Sequence, residues 1–279
     1  MLRTRAKNLP LYLLHVLLAI LFLAPLVWAV STSLKHPGDI MVYPPTLLPS
    51  DATLTNYLDI WTVREGIFRR YFLNSVIVSV GTAGLVALVS VLAGYGFAVL
   101  RFRAKEFLFV AIVAAMLIPF QALLVPLFQL VRTLGLLNTY AGLIIIYTTF
   151  QLPFGVFMMR NAFATVPVSL RESALLDGAS ELVVAGRVML PLVLPGVVTT
   201  VIYSLYITWN EFLIALVFTT DESMKLLTVG LRQLATGRYT TNWEYLTSGA
   251  IISFIPIMIV FLFLQRYFIS GVTGGAVKG

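Results

Sequence analysis

Glu172-Ser173-Ala174-Leu175-Leu176-Asp177-Gly178-Ala179, closed downstream by Leu190-Pro191-Leu192 and Pro195-Gly196, is a polar interruption between two apolar runs of membrane length. A loop that only joins two membrane helices can be short and shapeless, whereas this one spends about thirty residues on punctuated structure. Pro167 suits the first turn of a helix. Ser169 and Glu172 stand three apart, the spacing of a capping box, and Leu170, Ala174 and Leu175 give a short apolar face. Asp177-Gly178 marks a left-handed turn that ends this helix. The pattern predicts a second helix from Ala179 to Leu190, stopped by Pro191. A rigid shape of this kind on a membrane face points to a docking surface.

The surrounding composition is that of a polytopic membrane protein. The 279 residues are 59% apolar and 11% charged, with a mean hydropathy of +0.94; soluble domains carry roughly 45–50% apolar and about 25% charged residues. Cysteine is absent, which excludes disulfide and thiolate chemistry. The two histidines, His15 and His36, cannot build a metal constellation. A net charge of +7 invites a nucleic-acid partner, but the basic residues gather at the ends of apolar runs, as membrane topology requires. No nucleic-acid partner is expected.

Six stretches are long enough to span a bilayer, which takes about 20 residues. They are Leu9–Val30, Phe72–Leu100, Phe107–Val131, Ala141–Met159, Leu192–Phe218 and Leu246–Leu264. Pro119 and Pro126 are expected to break the third, and Pro153 lies in the fourth. The first run follows Arg3, Arg5 and Lys7 but is longer than the apolar core of a signal peptide, so it reads as a retained helix. An even number of spans places both termini on one side. That side collects eleven basic residues, including Arg101, Arg103 and Lys105 in one short loop, against eight on the other. The bias predicts cytoplasmic N and C termini and a cytoplasmic Glu172 loop. The expected division is a first helix with its outer segment over 1–69, a core unit over 70–265 carrying the polar loop 161–191, and a cytoplasmic tail over 266–279.

Within the spans, Glu211 is the only Asp, Glu, Lys or Arg. It follows Asn210 roughly 22 Å along the helix from Pro195, at 1.5 Å per residue, and so belongs toward the outer leaflet. A carboxylate there faces a water-filled path or a partner. Asn210, Glu211 and Tyr206 are therefore candidates for a solute path or gate, with interfacial anchoring or an interhelical hydrogen bond as the plainer role. Gln121, Gln129 and Gln151 read as interhelical hydrogen-bonding groups, and Ser90, Gly94 and Ala98 as a stripe of small packing residues. Tyr203, Tyr206 and Trp209, three residues apart, can stack on sugar faces, but packing is their default.

The Glu172–Ala179 segment with its Leu-Pro-Leu-x-x-Pro continuation resembles the "EAA" loop of permease subunits in ATP-binding-cassette importers. Asn74-Ser75-Val76, Gly135 to Tyr140, Trp209-Asn210-Glu211-Phe212 and the tail Gly275 to Gly279 are similar to the carbohydrate branch of that family, the maltose type. The resemblance implies an all-α membrane protein of the type I importer permease (MetI-like) fold, with six transmembrane helices, in a bacterial or archaeal inner membrane. It implies that Glu172, Ala174, Asp177, Gly178 and Ala179 form an element that docks in a groove of an ATPase subunit. Ser173 departs from the usual alanine, and Ala185 and Gly186 stand where bulky aromatics are common, so contacts from the second helix are not assigned.

The chain has no Gly-x-x-x-x-Gly-Lys-Ser/Thr phosphate loop, and no Ser-His-Asp set or paired carboxylates mark an enzyme site. The resemblance therefore implies that ATP and Mg belong to a partner ATPase dimer, alongside a second permease subunit and an extracytoplasmic sugar-binding protein. Alternatives are a permease for another solute, such as a glycerol-phosphate ester, and an ion-coupled carrier or membrane enzyme. Carriers show midplane ionisable clusters and inverted repeats; this chain shows one off-centre Glu and no repeat.

Overall fold

The computed structural model describes residues 9–237 and 241–276, with side chains described over 11–237 and 241–263. Arg3, Arg5, Lys7, Arg238 and Lys278, which contribute to the charge bias, lie outside the described residues, as does most of the Gly275–Gly279 tail. The long helices are α1 (Leu9–Ser33), α2 (Thr55–Val99), α3 (Lys105–Ala114), α4 (Phe120–Thr133), α5 (Tyr140–Ala164), α6 (Val168–Leu176), α7 (Leu194–Asn210), α8 (Leu213–Phe218), α9 (Leu227–Ala235) and α10 (Trp243–Ala276). The protein is an all-α membrane protein. Five helices or continuous helical stretches are long and apolar enough to cross a bilayer, and α3 with α4 makes a sixth span if that bent pair counts as one.

Two compact units divide the chain. The first comprises Met1–Arg69 and Gly230–Ile255, the second Arg70–Val229 and Pro256–Gly279. In the first unit, α1 exposes apolar side chains such as Phe22 along its length, as a lipid-facing helix does. Its end is tied down by Asn56, whose Nδ2 donates to the Ser33 and Lys35 carbonyls at 2.8 Å each. The helix α2 begins earlier than the apolar run and breaks where Arg64, Glu65 and Gly66 adopt positive φ. Gly249 of α10 passes so close to Ile60 and Leu231 that a Cβ there would meet their methyls at 2.9 and 2.3 Å.

In the second unit, α2 and α5 pack through small residues. A Cβ on Gly155 would sit 2.1 Å from Ser90 Oγ, and one on Gly94 would sit 2.4 Å from Met159 Cβ. The Ser90–Gly94 stripe therefore packs helices, as its spacing indicated. Val78, Leu143, Ile146, Tyr147, Ile214, Ala215 and Phe218 form one buried cluster. Tyr95, Met159, Phe163, Val166, Val184, Met189 and Val193 form a second, against which the polar loop lies.

Prolines behave unevenly. The chain bends by 99° between α3 and α4, where Ile118 and Pro119 are both extended, as the restriction on a residue before proline demands. Pro126, expected to be a second break, instead sits inside α4; it removes one backbone bond without ending the helix. Pro191 likewise fails to stop the second helix of the loop. Glu181–Val183, a wide π segment Val184–Met189 and the 3-10 turn Leu190–Val193 run on into α7. The Leu190 N–H reaches back to the Ala185 carbonyl, five residues earlier, and this wider turn makes room for the proline ring.

Candidate functional site

The polar loop is built as a helix, a glycine turn and a second helix. Pro167, with φ −59° and ψ 129°, is the N-cap of α6 rather than a member of its first turn, and no side chain caps this end. The expected Ser169–Glu172 capping box does not form, because the helix starts at Val168 and Ser169 is already inside it. The Glu172 side chain makes no hydrogen bond or ion pair among the described residues and is exposed. The C-terminus is a Schellman turn: Gly178, at φ +83°, donates to the Leu175 carbonyl at 3.0 Å, and Ala179 donates to the Ala174 carbonyl at 3.1 Å.

This turn decides which residues face where. Ala174, Leu175 and Ala179 pack against the Tyr95–Met159–Phe163 cluster, so the small residues bring α6 close to its own bundle. The outward surface consists of Glu172, Ser173, Leu176, Asp177 and Gly178, with Leu176 89% exposed and Leu182 of the following segment 80% exposed. Beside α6 lies an open cavity of about 820 Å³ whose lining includes Arg101, Lys105, Arg171 and Glu172.

One contact of the loop escapes sequence reasoning. The Arg171 guanidinium donates Nε to Glu181 Oε1 at 2.8 Å and Nη2 to Oε2 at 2.9 Å. The Tyr95 hydroxyl of α2 donates to the same Glu181 Oε1. The local signal was an opposite-charge pair ten residues apart across the glycine turn. Nothing in the local pattern pointed to Tyr95.

The second candidate place is the expected fifth span. The apolar pattern predicts one continuous run over Leu192–Phe218 with Glu211 inside it; instead α7 ends at Asn210, Glu211 is extended, and α8 starts at Leu213. The cause is Glu211 itself. Its Oε1 accepts the backbone N–H groups of Leu213 and Ile214 at 2.8 and 3.0 Å, and its Oε2 those of Ile214 and Ala215 at 2.9 and 3.2 Å. A carboxylate that satisfies the orphan donors of a helix start favours starting a new helix over continuing the old one. The Tyr147 hydroxyl of α5 donates to Oε2 at 3.0 Å.

The neighbouring candidates separate by environment. Asn210 is exposed and donates to the Tyr206 carbonyl at 2.8 Å, and Tyr206 is 54% exposed. Tyr203 stacks on Phe154 with ring centroids 3.9 Å apart, and Trp209 meets Phe72 edge-on at 5.7 Å, so these two aromatics pack. Gln151 donates to Thr208 at 2.9 Å between α5 and α7. Gln121 and Gln129 make no side-chain hydrogen bond among the described residues.

Near the other end of α2, two polar motifs clamp the segment that follows α8. Asn74 donates to the Ser223 and Lys225 carbonyls at 2.9 and 3.0 Å and accepts from the Tyr140 hydroxyl at 2.6 Å. Ser75 accepts from the Leu227 N–H at 2.8 Å. Asn138, at φ +56°, donates to Thr220 and accepts from the Asp221 N–H, both at 2.9 Å. The Ser223 N–H holds the Asp221 carboxyl below the usual carboxylate range. Asn74, Ser75 and Asn138 thus share one job, shaping residues 219–227, while Tyr140 braces Asn74 and Thr139 caps α5.

These features make the chain a helical membrane bundle with a polar hairpin between α5 and α7 and a span interrupted at a carboxylate. Comparison with known proteins narrows this class. Residues 87–274 match the family described as binding-protein-dependent transport system inner membrane component, and the chain belongs to that family. A probable ABC transporter permease, YurM of Bacillus subtilis, is 37% identical over 91% of this chain and 83% of its own length. The arabinooligosaccharides transport system permease AraQ of Halalkalibacterium halodurans is 36% identical, over 89% and 86%. The diacetylchitobiose uptake system permease NgcG of Streptomyces coelicolor is 31% identical, over 95% and 87%. A chain of a bacterial ABC transporter involved in the import of the acidic polysaccharide alginate has the same fold. Its TM-score is 0.83 at 23% identity, over 95% of this chain and 97% of that one.

Proposed function

We propose that this chain is the permease subunit of an ATP-driven importer of a sugar, an oligosaccharide or glycoside, and forms half of its translocation path. The observation that carries the coupling role is α6. It is held to its own bundle by Ala174, Leu175 and Ala179 and ended by Gly178, while Glu172, Ser173, Leu176 and Asp177 face outward. An exposed leucine flanked by carboxylates on a fixed helix suits a groove on another protein, and the chain itself carries no phosphate loop. The sugar class rests on relatives named for arabinooligosaccharides and diacetylchitobiose.

In this reading an ATPase dimer with ATP and Mg docks on the cytoplasmic face, both termini lie on that face, and a second permease supplies the other half of the path. An extracytoplasmic binding protein delivers the sugar. Exposed Asn210 and Tyr206 belong to the path; Glu211 belongs to it through the helix break that positions them.

The test uses the assembled complex, with assembly verified by co-purification. Gly178→Pro locks φ at the wrong sign and removes an N–H that bonds the Leu175 carbonyl; Glu172→Lys reverses the outward charge. Each abolishes ATPase stimulation by the sugar-loaded binding protein. Normal stimulation in both variants removes the docking assignment, and unchanged uptake after replacing Asn210 and Tyr206 by Ala removes the path assignment.

A further inference from the structure

Glu181 is the meeting point of three elements that the docking role does not by itself require to be joined. It opens the helical stretch after the glycine turn, accepts both arms of Arg171 from α6, and accepts the Tyr95 hydroxyl from α2. The Tyr95 ring also meets Phe163 of α5 edge-on, with centroids 5.4 Å apart. Apolar packing alone is non-directional and lets one helix slide on another. A two-bond guanidinium–carboxylate pair fixes orientation as well as distance.

The helix at the far side of this contact is suited to carry motion. From Arg70 to Val99, α2 has no non-helical residue; its break lies at residues 63–66. Gly94 and Ser90 lock it against α5 with no space for an added methyl. Tyr95 and Asn74 are 21 residues apart, about 31 Å along a helix at 1.5 Å per residue. Asn74 and Ser75 at that distant end hold the Ser223–Leu227 segment. One rigid rod therefore joins the polar loop to the clamped segment across the membrane.

We infer that Tyr95, Arg171 and Glu181 are positioning residues: a strut through which displacement of α6 drives α2 and, through Asn74, the 219–227 segment on the opposite face. The inference rests on the coupling reading of α6. If α6 were only a docking plug, its motion would stop at the loop and nothing would require a charge-fixed link to α2. With the strut intact, the loop, α2 and the distant segment move as one piece.

The natural absence of cysteine allows single reporters in the assembled complex in phospholipid nanodiscs. An environment-sensitive fluorophore on Ser169→Cys reports α6, and one on Leu73→Cys, exposed at the distant end of α2, reports the rod. ATP with orthovanadate is expected to change both signals. In Glu181→Gln, and in Tyr95→Phe, which keeps the ring and its packing, the Ser169 signal still responds. The Leu73 response falls at least twofold in each, because each weakens or removes the Tyr95–Glu181 bond that reaches α2. A wild-type Leu73 response in both single variants overturns the strut. Silence of both reporters in the otherwise unaltered complex instead overturns the coupling reading, and the strut with it.

Discussion

The Tyr147 hydroxyl of α5 reaches the Glu211 carboxylate at 3.0 Å, at the point where α7 stops and α8 begins. Tyr147 is 1% exposed and lies in the cluster that also holds Ile214, Ala215 and Phe218. The carboxylate thus links three elements: it caps α8, anchors the break to α5 and leaves Asn210 and Tyr206 facing outward from the last turn of α7. A charged residue in a membrane helix is commonly read as a solute contact; here its oxygens are occupied by the protein's own donors.

Removing that carboxylate should cost more than removing the hydroxyl. Glu211→Ala loses a helix cap, worth about 1 kcal/mol, and leaves a buried phenol unpaired, worth about 1–3 kcal/mol. Tyr147→Phe removes donor and hydroxyl together and should cost about 1 kcal/mol. Glu211→Gln keeps an acceptor oxygen and should fall between them. Thermal unfolding in detergent ranks the three; a Glu211→Ala protein that melts with the unaltered chain contradicts the capping role.

Asn74 should govern the order of the segment it holds. Asn74→Ala deletes three hydrogen bonds from a residue 1% exposed. At roughly 1 kcal/mol each, partly offset by water reaching the freed carbonyls, local opening becomes about 2 kcal/mol easier. Trypsin cleavage after Lys225 should then quicken about thirtyfold, in the regime where cleavage follows the open population. An unchanged rate means that Ser75, Asn138 and Tyr71, whose hydroxyl donates to Glu222 at 3.3 Å, hold the segment without it.

The two tight glycines of the α2–α5 contact should differ in whether they can be rescued. The new methyl of Gly155→Ala strikes chiefly Ser90 Oγ, at 2.1 Å, and this hydroxyl has no hydrogen-bond partner among the described residues. Overpacking of this kind costs about 1–3 kcal/mol, and Ser90→Ala should recover most of it. Gly94→Ala instead meets the Met159 carbonyl carbon and the Arg160 nitrogen at 2.8 and 2.9 Å. Backbone cannot retreat, so Met159→Ala should not restore it. Thermal unfolding of the four variants decides the matter, and equal rescue at both sites refutes the distinction.

Features that depend on a few adjacent residues were legible in the sequence. Apolar runs long enough to span, the bend at Pro119 and the left-handed Gly178 are each set within a turn or two of chain. The misreadings share one physical cause. Whether a proline ends a helix depends on whether the turn before it can widen, as it does ahead of Pro191, or whether the lost bond is simply tolerated, as at Pro126. Ser169 and Glu172 had the spacing of a cap but not its position, because extended Pro167 starts the helix two residues too early. Glu211 could be recognised as unusual from its surroundings, but not as a cap, since that requires knowing that Leu213–Ala215 turn back toward it. Tyr95 and Glu181 are 86 residues apart, and only the packed bundle brings them together.

Gly178 offers the sharpest test of the loop's shape, because nothing but backbone conformation is at stake there. Among the described residues no atom beyond its chain neighbours lies within 4 Å of where its Cβ would be, so added bulk meets no neighbour there. The whole penalty comes from φ +83°, which costs an ordinary L-residue about 1–2 kcal/mol. Asn tolerates left-handed backbone and should be nearly neutral, Ala should lose about 1 kcal/mol, and β-branched Val should lose most. Hydrogen exchange at the Gly178 and Ala179 amides, which close the turn onto the Leu175 and Ala174 carbonyls, should rise in the same order. If the turn sets the presentation of Leu176 and Asp177, stimulated ATPase activity of the complex should fall in that order too. Val equal to Asn in exchange would mean that the chain reaches this turn by another route; equal exchange loss with unequal activity would place the side chain itself at the docking surface.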